Sequence, residues 1–441
     1  MSPDPVQKLP APYDARWQAL AARLTHYRRR LQSAAAAPAR KRDEAGAYAL
    51  RTLAATAQRL QAFAVKHLRF FNSGAASAHV PPGYSRDYAL ALALHQVGFD
   101  VEVLEQAAHQ RLNPLDAADP AVLANADRLA RHAVDAAKAA ALLPADATAL
   151  TYFQKSPVIR VIPYAPVALL GVPYSLRQVP RDSLSIPHDV GHAVYWNSPA
   201  VADGLPEALP AWLGGHPAGS WIEEVFADLF SARVAGPVAA YSLQDLLFRQ
   251  GDDTFLTHDG DHPIPALRPF IYSHLYARNG QRRAARALSR AWRRRLKGRF
   301  GREAVVVALG LGARAAIDDL ISAEAPPALA KPLDRLIDEV ERVLGGVRAA
   351  PVWAGPFAEA GAQAEAGPAE AEYRELNKRV ARVAEVPERA EVREAADPWS
   401  AWAERIAPEP GRRLTRAQWL ALAQGRGWTP EYPGNWPTSG Q

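Results

Sequence analysis

Apolar residues recur every three or four positions through 14–34, 43–72, 85–98 and 118–142, in segments rich in Ala, Leu, Arg and Gln; that period predicts four helices. The stretch "NSGAASAHVPPGYSRD" between the second and third is a turn-rich connector. The pattern changes at "TYFQKSPVIRVIPYAPVALLGVPYSL", residues 151–176, where β-branched and aromatic residues concentrate and prolines cut the run short. Two short strands are expected there, Val158–Ile162 and Val167–Val172. Helical periodicity resumes at 184 and dominates to about 346. Beyond it, residues 348–372 are dominated by Ala, Gly, Pro and Glu and read as a linker. The tail carries a charged helix near 370–384 and two short Trp-bearing helices near 397–406 and 414–426.

These elements describe a mainly helical α+β protein. The expected units are a helical lobe over 1–148, a core with a small sheet over 149–347, the linker 348–372 and a helical tail over 373–441. No internal repeat is evident.

Composition narrows the chemistry. The chain has no cysteine, so disulfides, thiolate ligands and thiol nucleophiles are excluded, and any metal must be held by His, Asp and Glu. The opening "MSPDPVQKLP" lacks a basic and an apolar leader region, and no stretch reaches the roughly 18 apolar residues of a membrane span. No membrane segment is expected, and the cytoplasm is the default location. The net charge of +6 traces largely to "RNGQRRAARALSRAWRRRLKGRFGR", residues 278–302. On a helix over 282–302, Arg283, Arg286, Arg290, Arg294 and Lys297 fall near one side, and Leu288, Trp292, Leu296 and Phe300 on another. The plain reading is a solvated face, and the alternative is a surface for an acidic partner. With no aromatics interleaved to stack bases, nucleic acid is the less favoured partner.

Candidate chemistry lies in "SIPHDVGHAVYW", residues 185–196. Ser183 or Ser185 can cap a helix in which Pro187 occupies the first turn. His188 and His192 then stand at i and i+4 on one face, a spacing that lets two imidazoles converge on one tetrahedral ion. Gly191 costs a helix roughly 1 kcal/mol, so close packing should require it. A third ligand is available in "GSWIEEVFADLFSARVAG", residues 219–236, where Glu224 and Asp228 share one side of an apolar helix and Glu223 is rotated about 100° away. Buried carboxylates need a cation or strong donors; zinc and a histidine N–H would satisfy both.

His188-Asp189-Val190-Gly191-His192 followed by Glu224-Val225-Phe226-Ala227-Asp228 resembles the zincin metallopeptidases, in particular the gluzincin pairing of HExxH with ExxxD. The resemblance covers about residues 155–280. It implies a zincin-like core acting on a peptide or protein substrate, with His188, His192 and Glu224 as Zn²⁺ ligands. Asp228 would accept a hydrogen bond from the first histidine, and Val167–Val172 would pair with extended substrate. Asp189 departs from the pattern: it stands where the family has its general-base glutamate, one methylene shorter. The family also supplies a downstream donor for the oxyanion. Candidates are His258, His262, Tyr272, His274 and Tyr276, with Tyr272 and His274 preferred as residues of one helix after Pro269. His258, Asp259, Asp261 and His262 form either a second metal site or, the plainer reading, a polar loop.

Two other readings stand beside this one. "PHDVGH" also resembles the HD doublet of metal-dependent phosphohydrolases, which take a further histidine from an upstream helix and use two metals. A zincin scaffold that keeps zinc but acts through binding is the other, because of Asp189.

Overall fold

The computed structural model describes residues 9–37, 43–72, 85–154, 158–160, 162, 164–202, 204–209, 217–257, 262–300, 306–308, 314–316 and 327–348. The expected tail 373–441 with its helices, the linker beyond 348, and His258, Asp259 and Asp261 lie outside the described residues.

Four long helices come first: α1 (Ala11–Ala36), α2 (Glu44–Asn72), α3 (Arg86–Leu112) and α4 (Asp119–Ala139). On α1 the buried positions Trp17, Leu24 and Leu31 recur every seven residues, a narrow seam that packs along the Leu50, Leu53, Leu60 and Leu68 stripe of α2. Ser85 caps α3 by accepting the Tyr88 N–H at 3.1 Å. That helix runs past residue 98, where periodicity alone ends it, because Val101, Leu104 and Ala108 continue its buried side.

A three-stranded sheet divides the interior, in the order β1 (Thr148–Gln154), β3 (Val167–Pro173), β2 (Val158–Arg160). β1 runs parallel to β3 and β2 antiparallel to it. Alternate side chains serve two cores. Leu150, Tyr152, Val167 and Leu169 face α1–α3, while Ala149, Phe153, Ala168, Leu170 and Val172 join α4 and the helices that follow. α1–α3 and α4, all within the stretch 1–148, thus pack on opposite faces of the sheet.

β1 is the strand that periodicity misses, its first half being Ala- and Thr-rich. Its outer edge is closed by side chains that imitate a neighbouring strand. Gln110 accepts the Phe153 N–H at 2.7 Å and donates to its carbonyl at 2.8 Å. Asp127 accepts the Thr151 N–H at 2.6 Å, and Arg111 donates to the Thr151 carbonyl at 2.7 Å. β3 is central, paired along its length with β1 and over Leu169–Gly171 with β2, so those three residues of Val167–Val172 have no edge to offer a substrate, contrary to expectation. Among the described strands of this sheet, the open edge belongs to β2.

After β3 the chain enters a 3₁₀ turn, Pro180–Ser185, that runs into α5 (Ile186–Asn197). Ser185 is itself helical in backbone and its hydroxyl donates to the Asp182 carbonyl at 3.1 Å, so the serine cap expected from sequence is replaced by the turn. The longer helices that follow are α6 (Ile222–Ala235), α7 (Pro237–Leu247), α8 (Arg268–Arg278), α9 (Arg282–Phe300) and α10 (Pro327–Leu344). A hairpin of β4 (Val306–Ala308) and β5 (Arg314–Ala316) precedes α10. α6 is buried on most sides because α5, α8 and α10 all pack on it, with its acids Glu223, Glu224 and Asp228 set among the apolar residues. None of the described helices is long and apolar enough to cross a membrane.

Candidate metal centre

α5 and α6 lie antiparallel and touch where Gly191 meets Ala227. A Cβ at Gly191 would stand 2.7 Å from the Ala227 Cα, so glycine is what lets the two backbones approach. That approach brings His188 opposite Asp228 and His192 opposite Glu223 and Glu224.

Each imidazole is held from behind. His192 Nδ1 donates to Glu223 Oε1 at 2.9 Å, and the same oxygen accepts the Trp196 indole N–H at 2.7 Å. His188 Nδ1 lies 3.0 Å from Asp228 Oδ1, close but off the ideal hydrogen-bond line. With Nδ1 directed at a carboxylate in both rings, the two Nε2 atoms are turned toward each other, 3.1 Å apart. Glu224 closes the triangle: Oε1 is 3.5 Å from His192 Nε2, and Oε2 is 3.6 Å from His188 Nε2. Among the described residues, His188, His192 and Glu224 form the group able to hold a metal ion.

Those separations fit a tetrahedral ion, since donors at Zn–N or Zn–O bonds of about 2.0–2.1 Å stand about 3.3 Å apart. The donor chemistry fits as well. Two neutral imidazoles with protonated Nδ1 atoms would point lone pairs at each other across 3.1 Å, an arrangement that a cation between them relieves; Arg268 Nη2 already stands 3.4 Å from His188 Nε2. Burial alone would make His192 harder to protonate, but the Glu224 charge, the Glu223 hydrogen bond and Asp189 prevail and raise its pKa to about 9.

Arg268 was not among the residues singled out from the sequence. At the first position of α8, its buried guanidinium grips Asp228 with Nε to Oδ2 at 2.7 Å and Nη2 to Oδ1 at 2.8 Å. The same Nη2 donates to Glu224 Oε2 at 2.7 Å. Burial would raise the pKa of Glu224, yet Arg268 and the two histidines hold it well below the carboxylate range; Asp228 is lowered in the same way. Arg268 is thus a further partner of the two carboxylates beside those expected, a permanent cation, and Glu224 Oε1 is left facing the histidines.

Of the five candidate oxyanion donors, His262 reaches the cluster, with Nε2 3.2 Å from Glu224 Oε1 and half its side chain exposed. Tyr272 is buried behind the site and donates to Asp228 Oδ1 at 3.2 Å. His274, two residues on and so on the other side of α8, pairs with Asp334 of α10. Tyr276 donates to the Ala232 carbonyl at 3.2 Å. The preferred pair, Tyr272 and His274, is thus directed away from the donor triangle.

Asp189 is buried, and its Oδ2 has no hydrogen-bond partner. Burial pushes its pKa up to about 6, against the pull of His188 and His192. A carboxyl whose folded pKa is raised stabilises the fold below its ordinary value of 3.8 and loses that contribution as pH rises through 6. In chelator-stripped protein, Asp189→Asn should therefore raise stability by on the order of 2 kcal/mol at pH 8 and by almost nothing at pH 4. Urea melts at the two pH values check this; a gain of equal size at both would rule out the ionised carboxylate as its cause.

No family model, curated protein or solved structure matches the chain.

Proposed function

We propose that the protein is a zinc-dependent hydrolase of the zincin type, most simply a metallopeptidase. The observation that carries this reading is the convergence of His188 Nε2, His192 Nε2 and Glu224 on one point, with Glu223 bonded to His192 Nδ1 and Asp228 facing His188 Nδ1 from behind. Zinc held there supplies Lewis acidity toward water and a carbonyl group.

The protein groups divide the remaining work. Asp189, with a free buried oxygen and a pKa near 6, takes the proton of the attacking water. His262, half exposed at the rim, donates to the oxygen on which charge develops. Arg268 and Tyr272 hold Asp228, and through it His188, in place. Substrate in extended form pairs with the open edge of β2, which packs against α5.

A second reading, a scaffold with weakened catalysis, draws support from Arg268, whose charge lets the carboxylates stand together without metal. The phosphohydrolase reading finds no second metal-competent cluster among the described residues.

The test is hydrolysis of a quenched-fluorescent peptide library by zinc-loaded full chain, with Asp189→Asn and Asp189→Glu. Chelator-sensitive cleavage that falls at least ~100-fold in Asp189→Asn and is kept or improved in Asp189→Glu is expected. Zinc bound without cleavage in wild type or Asp189→Glu would support the scaffold.

A further inference from the structure

Helix α9 bears nine Lys or Arg among its 19 residues and no acid, against a net charge of +6 for the whole chain. The rest of the chain is therefore net acidic, and the positive field is concentrated on this helix. The Arg283 side chain lies outside the described residues; the other eight charges divide into two sets. Arg295 pairs with Asp245, Arg299 pairs with Asp252, and Arg293 lies over the Phe270 ring at 5.8 Å. Arg282, Arg286, Arg290, Arg294 and Lys297 are exposed and make no ion pair or hydrogen bond among the described residues. These five cover an arc of about 120° along roughly 22 Å of helix.

The helix beneath them is anchored. Leu288, Trp292 and Leu296 are fully buried, and the Trp292 indole donates to the Ala266 carbonyl at 2.9 Å. With its apolar stripe used in the core, α9 has none left to insert into a lipid surface. The basic row also contains no aromatic or large aliphatic side chain, so it lacks the apolar anchors of a protein interface and the platforms that stack unpaired bases. What it presents is a strip of mostly guanidinium groups on an anchored helix, whose forked donors match phosphate oxygens.

We propose that the outer face of α9 docks the phosphate backbone of double-stranded nucleic acid without reading its sequence. The duplex is favoured because it packs phosphates most densely and asks for no stacking groups. This inference is independent of the metal centre.

The test is fluorescence anisotropy of the full chain with a labelled DNA duplex of about 20 base pairs and arbitrary sequence, from ~50 to ~200 mM salt. Wild type should bind with a log–log salt slope of about −4, as four to five phosphate contacts require. Arg286→Glu/Arg290→Glu/Arg294→Glu should weaken binding at least ~100-fold at the lower salt and flatten the slope by about 3. Should the reversal disturb the fold by circular dichroism, the triple alanine variant replaces it, with a flattening of about the same size. No binding by wild type, or equal binding by the variants, would overturn the proposal. So would tighter binding of polyglutamate or of phosphatidylserine vesicles than of the duplex, each pointing to a different partner.

Discussion

His192→Ala should leave the chain unable to retain zinc, with affinity lower by at least ~1,000-fold, because it removes one of the three protein donors of the proposed site. Glu223→Gln makes a graded companion. It keeps the shape behind His192 but replaces the carboxylate oxygen that accepts both His192 Nδ1 and Trp196 Nε1. The expected loss is about 10–100-fold in affinity, the usual scale for a carboxylate that orients a ligating histidine. Competition titration against a zinc-binding dye separates the two sizes. If Glu223→Gln bound zinc as tightly as wild type, Glu223 would not be what orients His192. If His192→Ala did so, the assignment of the ligand itself would fall.

Gly191→Ala is expected to be nearly as damaging although it touches no donor atom. The added methyl would lie 2.7 Å from the Ala227 Cα and 3.1 Å from its Cβ, so one helix must move. Overpacking of this kind costs about 3 kcal/mol, only partly offset by alanine's better helix propensity of about 1 kcal/mol. Displacement also separates His188 and His192 from Glu224, so zinc affinity should fall along with the melting temperature. Adding Ala227→Gly should not rescue the variant, because the nearest atom belongs to the backbone. Full rescue would show that the clash is with the Ala227 methyl and that the helix crossing can adjust.

Much of this site is legible along the chain for a physical reason. Two helices with functional residues at i and i+4 present them on fixed faces, so His188 with His192 and Glu224 with Asp228 are paired by helix geometry before any tertiary contact is known. Gly191 likewise announces a close approach by being an unfavourable residue within a helix. What helix phase does not disclose is the width of the contact. Glu223 is rotated away from Glu224, yet α5 and α6 lie so close that both carboxylates face it. Arg268 is 40 residues beyond Asp228 and reads as an ordinary charged residue at a helix start; its burial follows from how α8 meets α6. The choice among His262, Tyr272 and His274 depends on the same packing. In the sheet, β3 reads equally well as an edge or a centre, because a short apolar strand has the same alternation in either place. The mainly helical α+β architecture is sounder ground, since long periodic segments such as α2 and α4 bury one continuous stripe wherever they pack.

The most direct test of the metal centre is the zinc content of the full-length chain, loaded with excess zinc, dialysed and analysed by plasma mass spectrometry beside His192→Ala. One zinc per wild-type chain and none in the variant is the predicted result. Wild type without metal, with an NMR signal from a proton shared between His188 Nε2 and His192 Nε2, would contradict it and leave a hydrogen-bonded structural cluster in place of a metal site.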